Sequence, residues 1–180
     1  MTLPVYDKPQ ISVHEQIELL KSEGLPFYDE EKAIHLLENI SLFRMKSYLM
    51  PLRQTGKQMF KQGAAFEEAY SLYKFDSELR KMICSEMEKI EVSIRTRRLW
   101  NRRLSINALI PRHTRLPFVT IPDDTKKVYY VLSIILYFLQ TVNPKNTFAS
   151  RFKSLLAKYP MADIHAMGFS VDWQDEPLWK

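Results

Sequence analysis

One segment, residues 64–110, constrains the fold more than any other, because it contains neither glycine nor proline. Its apolar residues recur at spacings of three, four or seven, which is typical of an α-helix with one face packed against other helices. These residues are Leu72, Leu79, Ile83, Met87, Ile90 and Ile94. A helix over residues 66–104 would be about 60 Å long at ~1.5 Å per residue, too long for a compact chain of this size. We therefore expect it to bend or break near the arginines of residues 95–103, or to project and be covered by a second copy of the chain.

Three shorter helices are predicted before this segment. Ser12 and Glu15 have the spacing of a capping box, in which each side chain accepts a hydrogen bond from the other residue's amide. Gly24 ends that helix, Asp29 caps the second, and residues 42–49 form the third, before the next proline. The residues expected to face the core are Ile17, Leu19 and Leu20 in the first helix, and Ala33, Ile34, Leu37 and Ile40 in the second.

Two further helices and an aromatic tail are predicted after the long segment. Three prolines favour an extended connection over residues 105–122, and Asp123 and Asp124 then begin a helix that ends at Val142. The apolar run within that helix is too short to span a bilayer, so we expect it to be buried. The last helix covers residues 147–159, with Phe148, Phe152, Leu155 and Leu156 as its buried stripe. The tail, with Trp173 and Trp179, should pack back onto these helices, and the fold class is an all-α helical bundle.

Positive charge is concentrated in one place. Residues 1–94 hold 12 Lys and Arg against 15 Asp and Glu, residues 95–115 hold 7 against none, and residues 116–180 hold 7 against 6. Such a basic block is typical of contact with a phosphate backbone, although a solvated arginine face is the alternative. The residues predicted to bind RNA are Arg95, Arg97, Arg98, Arg102, Arg103, Arg112 and Arg115.

Other reactive side chains give weak signals. The single cysteine, Cys84, lies in a helical pattern and is expected to be a buried or neutral thiol. His35 has no second ligand at metal-binding spacing, so we expect no metal site and no cofactor. The N-terminus has neither a signal peptide nor a lipid-anchor motif, which predicts a cytoplasmic protein without a membrane partner.

Several motifs in order along the chain resemble the Abi-like bacterial proteins of the AbiD/AbiF type. The residues at 8–9, 15–25 and 31–41 are similar to the opening of that family. Those at 73–80 and 88–96 are similar to its first long helix. Those at 98–104, 167–169, 172–173 and 178–179 are similar to its C-terminal part. The resemblance implies a single helical domain over residues 1–180, with N-terminal helices in 1–63, the long helix in 64–104 and C-terminal helices in 105–180.

What the resemblance implies is a HEPN-type fold, a role in abortive infection against phage, and metal-independent RNA cleavage at a site shared by a dimer. The family's catalytic signature is an arginine followed, after four to six residues, by a histidine. A histidine near neutrality can move a proton of the ribose or leaving group, and an arginine can bind the phosphorane.

This sequence departs from that signature. Its histidines are His14, His35, His113 and His165, and none has an arginine five to seven positions before it. The end of the long helix meets the later Arg-Arg-Leu-Trp motif directly, near residues 96–98. We infer a seam there, with a central block that carried the catalytic pair missing between the two matched pieces.

Three functions remain open from the sequence. The first is an inactive or regulatory protein that binds RNA through the arginines, or pairs with a full-length relative, without cutting. The second is a ribonuclease that uses substitute residues, for which Arg95, Glu91 and His113 are the candidates, although Glu91 and Arg95 also have the spacing of an ordinary helix ion pair. The third is an interaction module, because apolar faces of helices 66–94 and 125–142 left without partners favour a homodimer.

Overall fold

The computed structural model describes residues 11–100 and 127–180. Within these ranges there are six α-helices and no strand, apart from an isolated bridge between Arg53 and Phe60. The prediction of an all-α fold is confirmed. The helices are α1 (Val13–Ser22), α2 (Glu30–Ile40), α3 (Leu42–Leu49), α4 (Phe66–Trp100), α5 (Lys127–Val142) and α6 (Phe148–Lys158), with 3-10 turns at Met50–Leu52 and Trp173–Asp175. The predicted N-terminal end of α5 and the connection before it lie outside the described residues.

The chain divides into two compact units, Met1–Lys74 and Phe75–Lys180. Helix α4 supplies its first nine residues to the first unit and the rest to the second. Each unit has its own cluster of buried apolar side chains.

The first unit begins with the capping box predicted at Ser12. The Ser12 hydroxyl accepts from the amide of Glu15 at 3.3 Å, and the Glu15 carboxylate accepts from the amide of Ser12 at 2.6 Å. These bonds satisfy amides that have no partner within the helix. Asp29 caps α2 by accepting from the amide of Lys32 at 3.0 Å, as predicted.

The core of the first unit joins α1, α2, α3 and the start of α4. Ile17, Leu20, Ala33 and Leu37 are buried in it, but Leu19 is 47% exposed, so the prediction that Leu19 faces the core is wrong. On a helix of 3.6 residues per turn, Ile17 and Leu20 already occupy the inward face, and the position between them turns outward. Its largest buried side chains include Leu25, Met45, Leu49 and Phe66.

The second unit is built around aromatic side chains from α6 and the C-terminal tail. Phe152, Phe169, Trp173 and Trp179 are at most 3% exposed. Trp173 and Trp179 meet edge to face with ring centroids 5.1 Å apart, and Phe152 lies 5.6 Å from Trp179. Such pairs add stability beyond the burial of their area. The prediction that the aromatic tail packs back onto the helices is confirmed.

The buried face of α4 contains most of the apolar residues predicted to face the core. Leu79 and Ile90 are buried, and Ile83 and Ile94 pack against the same core. Met87 is 52% exposed, however, and Glu86 is buried in its place. The prediction that Met87 is buried is therefore wrong. Residues three and four positions after Ile83 lie on the same helical face, and the structure buries the first of them, Glu86, rather than Met87.

Helix α4 continues through residues 95–98 to Trp100. The bend or break predicted near residues 95–103 stays a prediction, since residues 101–103 lie outside the described residues. Two other expectations for the helices are corrected. Cys84 is exposed rather than buried, since it lies on the side of α4 away from the buried residues. Helix α5 is amphipathic rather than buried all round, because Val128, Val131 and Ile134 remain 36–42% exposed.

Candidate functional site

Of the residues predicted to bind RNA, only Arg95 has a described side chain. It lies on α4, is 74% exposed, and forms an ion pair with Glu91 one turn earlier. The i, i+4 pairing expected for these two residues is therefore present. Because both side chains face water, the pair is worth only a few tenths of a kcal/mol. The Arg95 guanidinium can exchange this partner for a phosphate at little cost.

The other predicted contacts can be placed only in part. Arg97 and Arg98 are in the last turns of α4. The remaining arginines of the basic block, Arg102, Arg103, Arg112 and Arg115, lie outside the described residues, as does the catalytic candidate His113. The structure thus gives one exposed, weakly engaged arginine at the beginning of the block and a continuous helix leading into it.

The described histidines are on other elements. His14 lies on α1, and His35 lies on α2, where its ring is 79% exposed and 4.0 Å from the carboxylate of Glu38. His165 is in the loop after α6, where its Nδ1 is 3.1 Å from the carbonyl oxygen of Phe169. These surroundings are those of surface and loop histidines.

A buried carboxylate on α4 is a feature that the sequence reasoning missed. The Glu86 side chain is 3% exposed and forms ion pairs with Arg151 of α6 and with Lys89 at 2.7 Å. Burial raises the pKa of Glu86, but the hydrogen bonds from Lys89 and Arg151 outweigh it, and the pKa lies below the ordinary glutamate value. Glu86 is therefore ionised at neutral pH and ties α4 to α6.

A second polar link lies nearby on the same two helices. The Glu78 carboxylate accepts from Lys158 Nζ at 2.7 Å and from the Tyr159 hydroxyl at 2.7 Å. The hydrogen bond to Glu78 is the main cause that raises the pKa of both Lys158 and Tyr159. The ion pair of Glu78 with Lys158 joins residues that are distant in sequence.

These links border a shallow groove of about 370 Å³ between α4 and α6. Two of its three cations, Arg151 and Lys158, already face Glu86 and Glu78, which leaves little charge to attract a phosphate. We interpret the groove as part of the structural contact between α4 and α6 and not as a phosphate-binding site. It is lined by Glu78, Lys81, Met82, Arg151, Ser154, Leu155 and Lys158.

Across residues 11–100 and 127–180, His, Cys, Asp and Glu side chains nowhere gather in a group of three or more that could hold a metal ion. No helix in the described part of the chain is long and apolar enough to cross a membrane.

One family of known proteins is similar to the part of the chain that contains α4 and the start of the basic block. The family model described as Abi-like protein matches residues 35–109. Over residues 35–109 the chain is similar to this family. The match includes most of α2, all of α3 and α4, and the first five arginines of the basic block.

The resemblance noted in the sequence before residue 35 and after residue 109 stays a prediction. No curated protein matches the chain, and no solved structure matches it.

Proposed function

We propose that this Abi-like protein acts in defence against phage by binding RNA through the basic block, without cleaving it. The observation that carries the proposal is the placement of 7 arginines and no acidic residue in residues 95–115. This block begins on the exposed surface of α4, where, among the described residues, Arg95 pairs with the solvated carboxylate of Glu91. Arginine clusters of this kind bind phosphates and make affinity dependent on salt.

The absence of cleavage follows from the sequence of the block. No histidine stands at the spacing from an arginine that the HEPN-type signature requires. The one histidine of the block, His113, directly follows Arg112 and lacks the signature's spacing, so the general base that the signature would supply to the 2′-hydroxyl is missing. The proposal therefore separates binding, which the arginines supply, from proton transfer, which they do not.

The proposal is tested by filter binding of labelled single-stranded RNA over a range of salt concentrations. Binding should weaken as salt rises. In the variant with Arg97, Arg98, Arg102 and Arg103 changed to Gln, the slope of log affinity against log salt should fall by about 3, since each phosphate contact on a single strand contributes about 0.7. A matched control changes four exposed lysines to Gln, and should keep nearly the full slope. These lysines are Lys32, Lys74, Lys81 and Lys145.

The same reactions reveal cleavage. Intact RNA after long incubation supports a binding protein. Cutting that is lost in His113→Ala would overturn the proposal in favour of a ribonuclease with substitute residues. Binding that does not change with salt, or no binding at low salt, would also overturn it.

We further propose that the protein is a homodimer. The exposed face of α5 carries Val128, Val131 and Ile134 at successive three-residue steps. These side chains form one stripe on the helix surface, and a second copy that covers the stripe would remove it from water. Light scattering at several protein concentrations tests this, and a monomer at all of them would contradict it.

A further inference from the structure

The first unit contains a second basic stretch, which the overall charge of its region conceals. Between Glu38 and Glu67 the sequence has no acidic residue but five basic ones, although residues 1–94 as a whole carry a net negative charge. Unlike most of the arginine block, this stretch lies entirely within the described residues. The basic residues are Arg44, Lys46, Arg53, Lys57 and Lys61.

The loop after α3 is fixed by the one basic side chain that turns inward. Arg53 pairs with Glu23 at 2.6 Å, donates to the carbonyl of Gln58, and lies 4.5 Å from the centre of the Phe60 ring. Backbone bonds close the loop, with the amide of Gln54 donating to the carbonyl of Met59 at 2.9 Å. Gly56, at φ 73°, makes the turn at its tip. These bonds hold the loop in one conformation without a ligand. The charge of Arg53 is neutralised by Glu23 and is not available to an anion.

The remaining basic side chains face outward. Lys57 and Lys61 border an open concavity of about 530 Å³ in the loop. The ammonium of Lys61 donates to the carbonyl of Pro51 at 2.7 Å, which holds it at the rim. In the part of the chain that the structure describes, neither lysine forms an ion pair with a carboxylate. Their charge is available to an anion.

An exposed aromatic side chain lies on α3, the helix that leads to the concavity. Phe43 is 84% exposed and Met50 is 64% exposed, and Met50 also borders the concavity. With Lys46 they stand at positions i, i+3 and i+7 of α3 and its following turn, so the three share one face. Phe43 thus lies about 10 Å along the helix from Met50, at ~1.5 Å per residue. A flat ring, an apolar side chain and three ammonium groups are arranged along one surface.

We propose that this surface, formed by Phe43, Lys46, Met50, Lys57 and Lys61 and here named the basic loop surface, binds single-stranded RNA. Phe43 stacks on a base, and the lysines bind phosphates on either side. Proteins that bind single strands without sequence preference combine a basic groove with exposed aromatic rings in this way. The inference rests on the proposed function in taking RNA as the ligand, but it concerns a surface of the first unit and residues that the arginine block does not include.

Two substitutions separate the two kinds of contact. Phe43→Ala removes the ring and no charge. It should weaken binding of a labelled uridine 20-mer by about 5- to 150-fold, the range that a lost base stack produces, and leave the salt slope unchanged. The triple variant Lys46→Gln, Lys57→Gln, Lys61→Gln removes charge and no ring, and should lower the slope by about 2. A control with Lys32, Lys81 and Lys145 changed to Gln alters net charge equally and should bind nearly as the unchanged protein does.

The outcomes distinguish this inference from the proposed function. If the arginine variant loses affinity while both loop variants bind as the unchanged protein does, the inference is overturned and the proposed function stands. If the loop variants lose affinity and the arginine variant does not, the inference stands alone. Vesicles with anionic headgroups form a second arm of the test. If the unchanged protein binds them and not RNA, and the loop variants lose that binding, the surface is a membrane contact and the inference is overturned. Circular dichroism of each variant checks its fold, and the side chains changed in the loop and lysine control variants are exposed.

Discussion

Glu86 shows how one residue can change the meaning of a sequence pattern. Spacing alone predicts that the buried apolar face of α4 continues from Ile83 to Met87. It also predicts that Glu86 is one of many solvated acids on a charged helix. In the structure it is buried because Arg151, 65 positions later, and Lys89 reach its carboxylate. Met87, which the spacing predicted to be buried, is exposed. No pattern local to α4 contains this information, since the deciding partner lies on another helix.

The two ends of this ion pair should respond differently to substitution. Arg151→Met leaves a buried carboxylate with Lys89 alone, and should lower the free energy of unfolding by about 3 kcal/mol at neutral pH. Glu86→Gln leaves two cations whose side chains are 42% and 59% exposed and can turn to water, so it should cost only about 1–2 kcal/mol. Urea unfolding at pH 7 measures both. Arg80→Met, which breaks a surface pair with Asp76, is the control and should cost less than about 1 kcal/mol.

The contribution of Glu86 should also depend on pH. Its pKa in the folded protein lies below the ordinary value of 4.5, so the network stabilises the fold at neutral pH and loses this effect as pH falls through the folded pKa. The difference in unfolding free energy between the unchanged protein and Glu86→Gln should therefore shrink in acid. A difference that stays constant from pH 7 into acid would contradict the assignment of Glu86 as ionised.

At the scale of elements, the ends of helices were predicted better than their faces. The capping box at Ser12, the cap at Asp29 and the helix end at Val142 depend on short-range hydrogen bonds or on a following proline, and each is present. Faces depend on what packs against them, which explains the errors at Leu19 and Met87. The basic loop surface was missed for a related reason. Its charges are spread over α3 and a loop, and the acids of α1 and α2 cancel them in any sum over the region.

The junction of α2 and α3 offers a test at this scale. A single residue, Ser41, separates the two helices, and it has φ 65° and ψ 145°, a region that only glycine occupies without strain. Ser41→Gly should therefore raise the free energy of unfolding by about 1 kcal/mol. Ser47→Gly, at an exposed position within α3, should lower it by about 0.5 kcal/mol because glycine is a poor helix former. Thermal unfolding of both variants checks the prediction, and a loss of stability in Ser41→Gly would contradict it.

At the scale of the whole molecule, sequence predicted the class of fold and the position of the strongest basic block. It did not predict the division into two compact units, because α4 passes from one to the other with no glycine, proline or change of composition at Lys74. It also gave the apolar run of α5 as buried throughout. The structure leaves one stripe of that helix exposed, and our proposal of a homodimer depends on that stripe.

The proposed dimer can be tested on this stripe. Val131→Asp with Ile134→Asp should shift the protein from about twice its chain mass of 21.3 kDa to a monomer, because burying two carboxylates without partners in an apolar contact is costly. Val171→Asp is the matched control, since Val171 is 81% exposed in the tail. Size-exclusion chromatography with light scattering reads both. A dimer that survives the α5 variant would contradict the choice of surface.

The aromatic packing of the second unit has a consequence for how the two units can be followed. Trp173 and Trp179 are buried in its core, while residues 1–74 contain no tryptophan and several tyrosines. All three tryptophans of the chain fall in residues 75–180, so tryptophan emission follows the second unit, whereas tyrosines occur in both units. The chain thus carries a natural optical probe for the unit with the buried ion pair, separate from the unit with the basic loop surface.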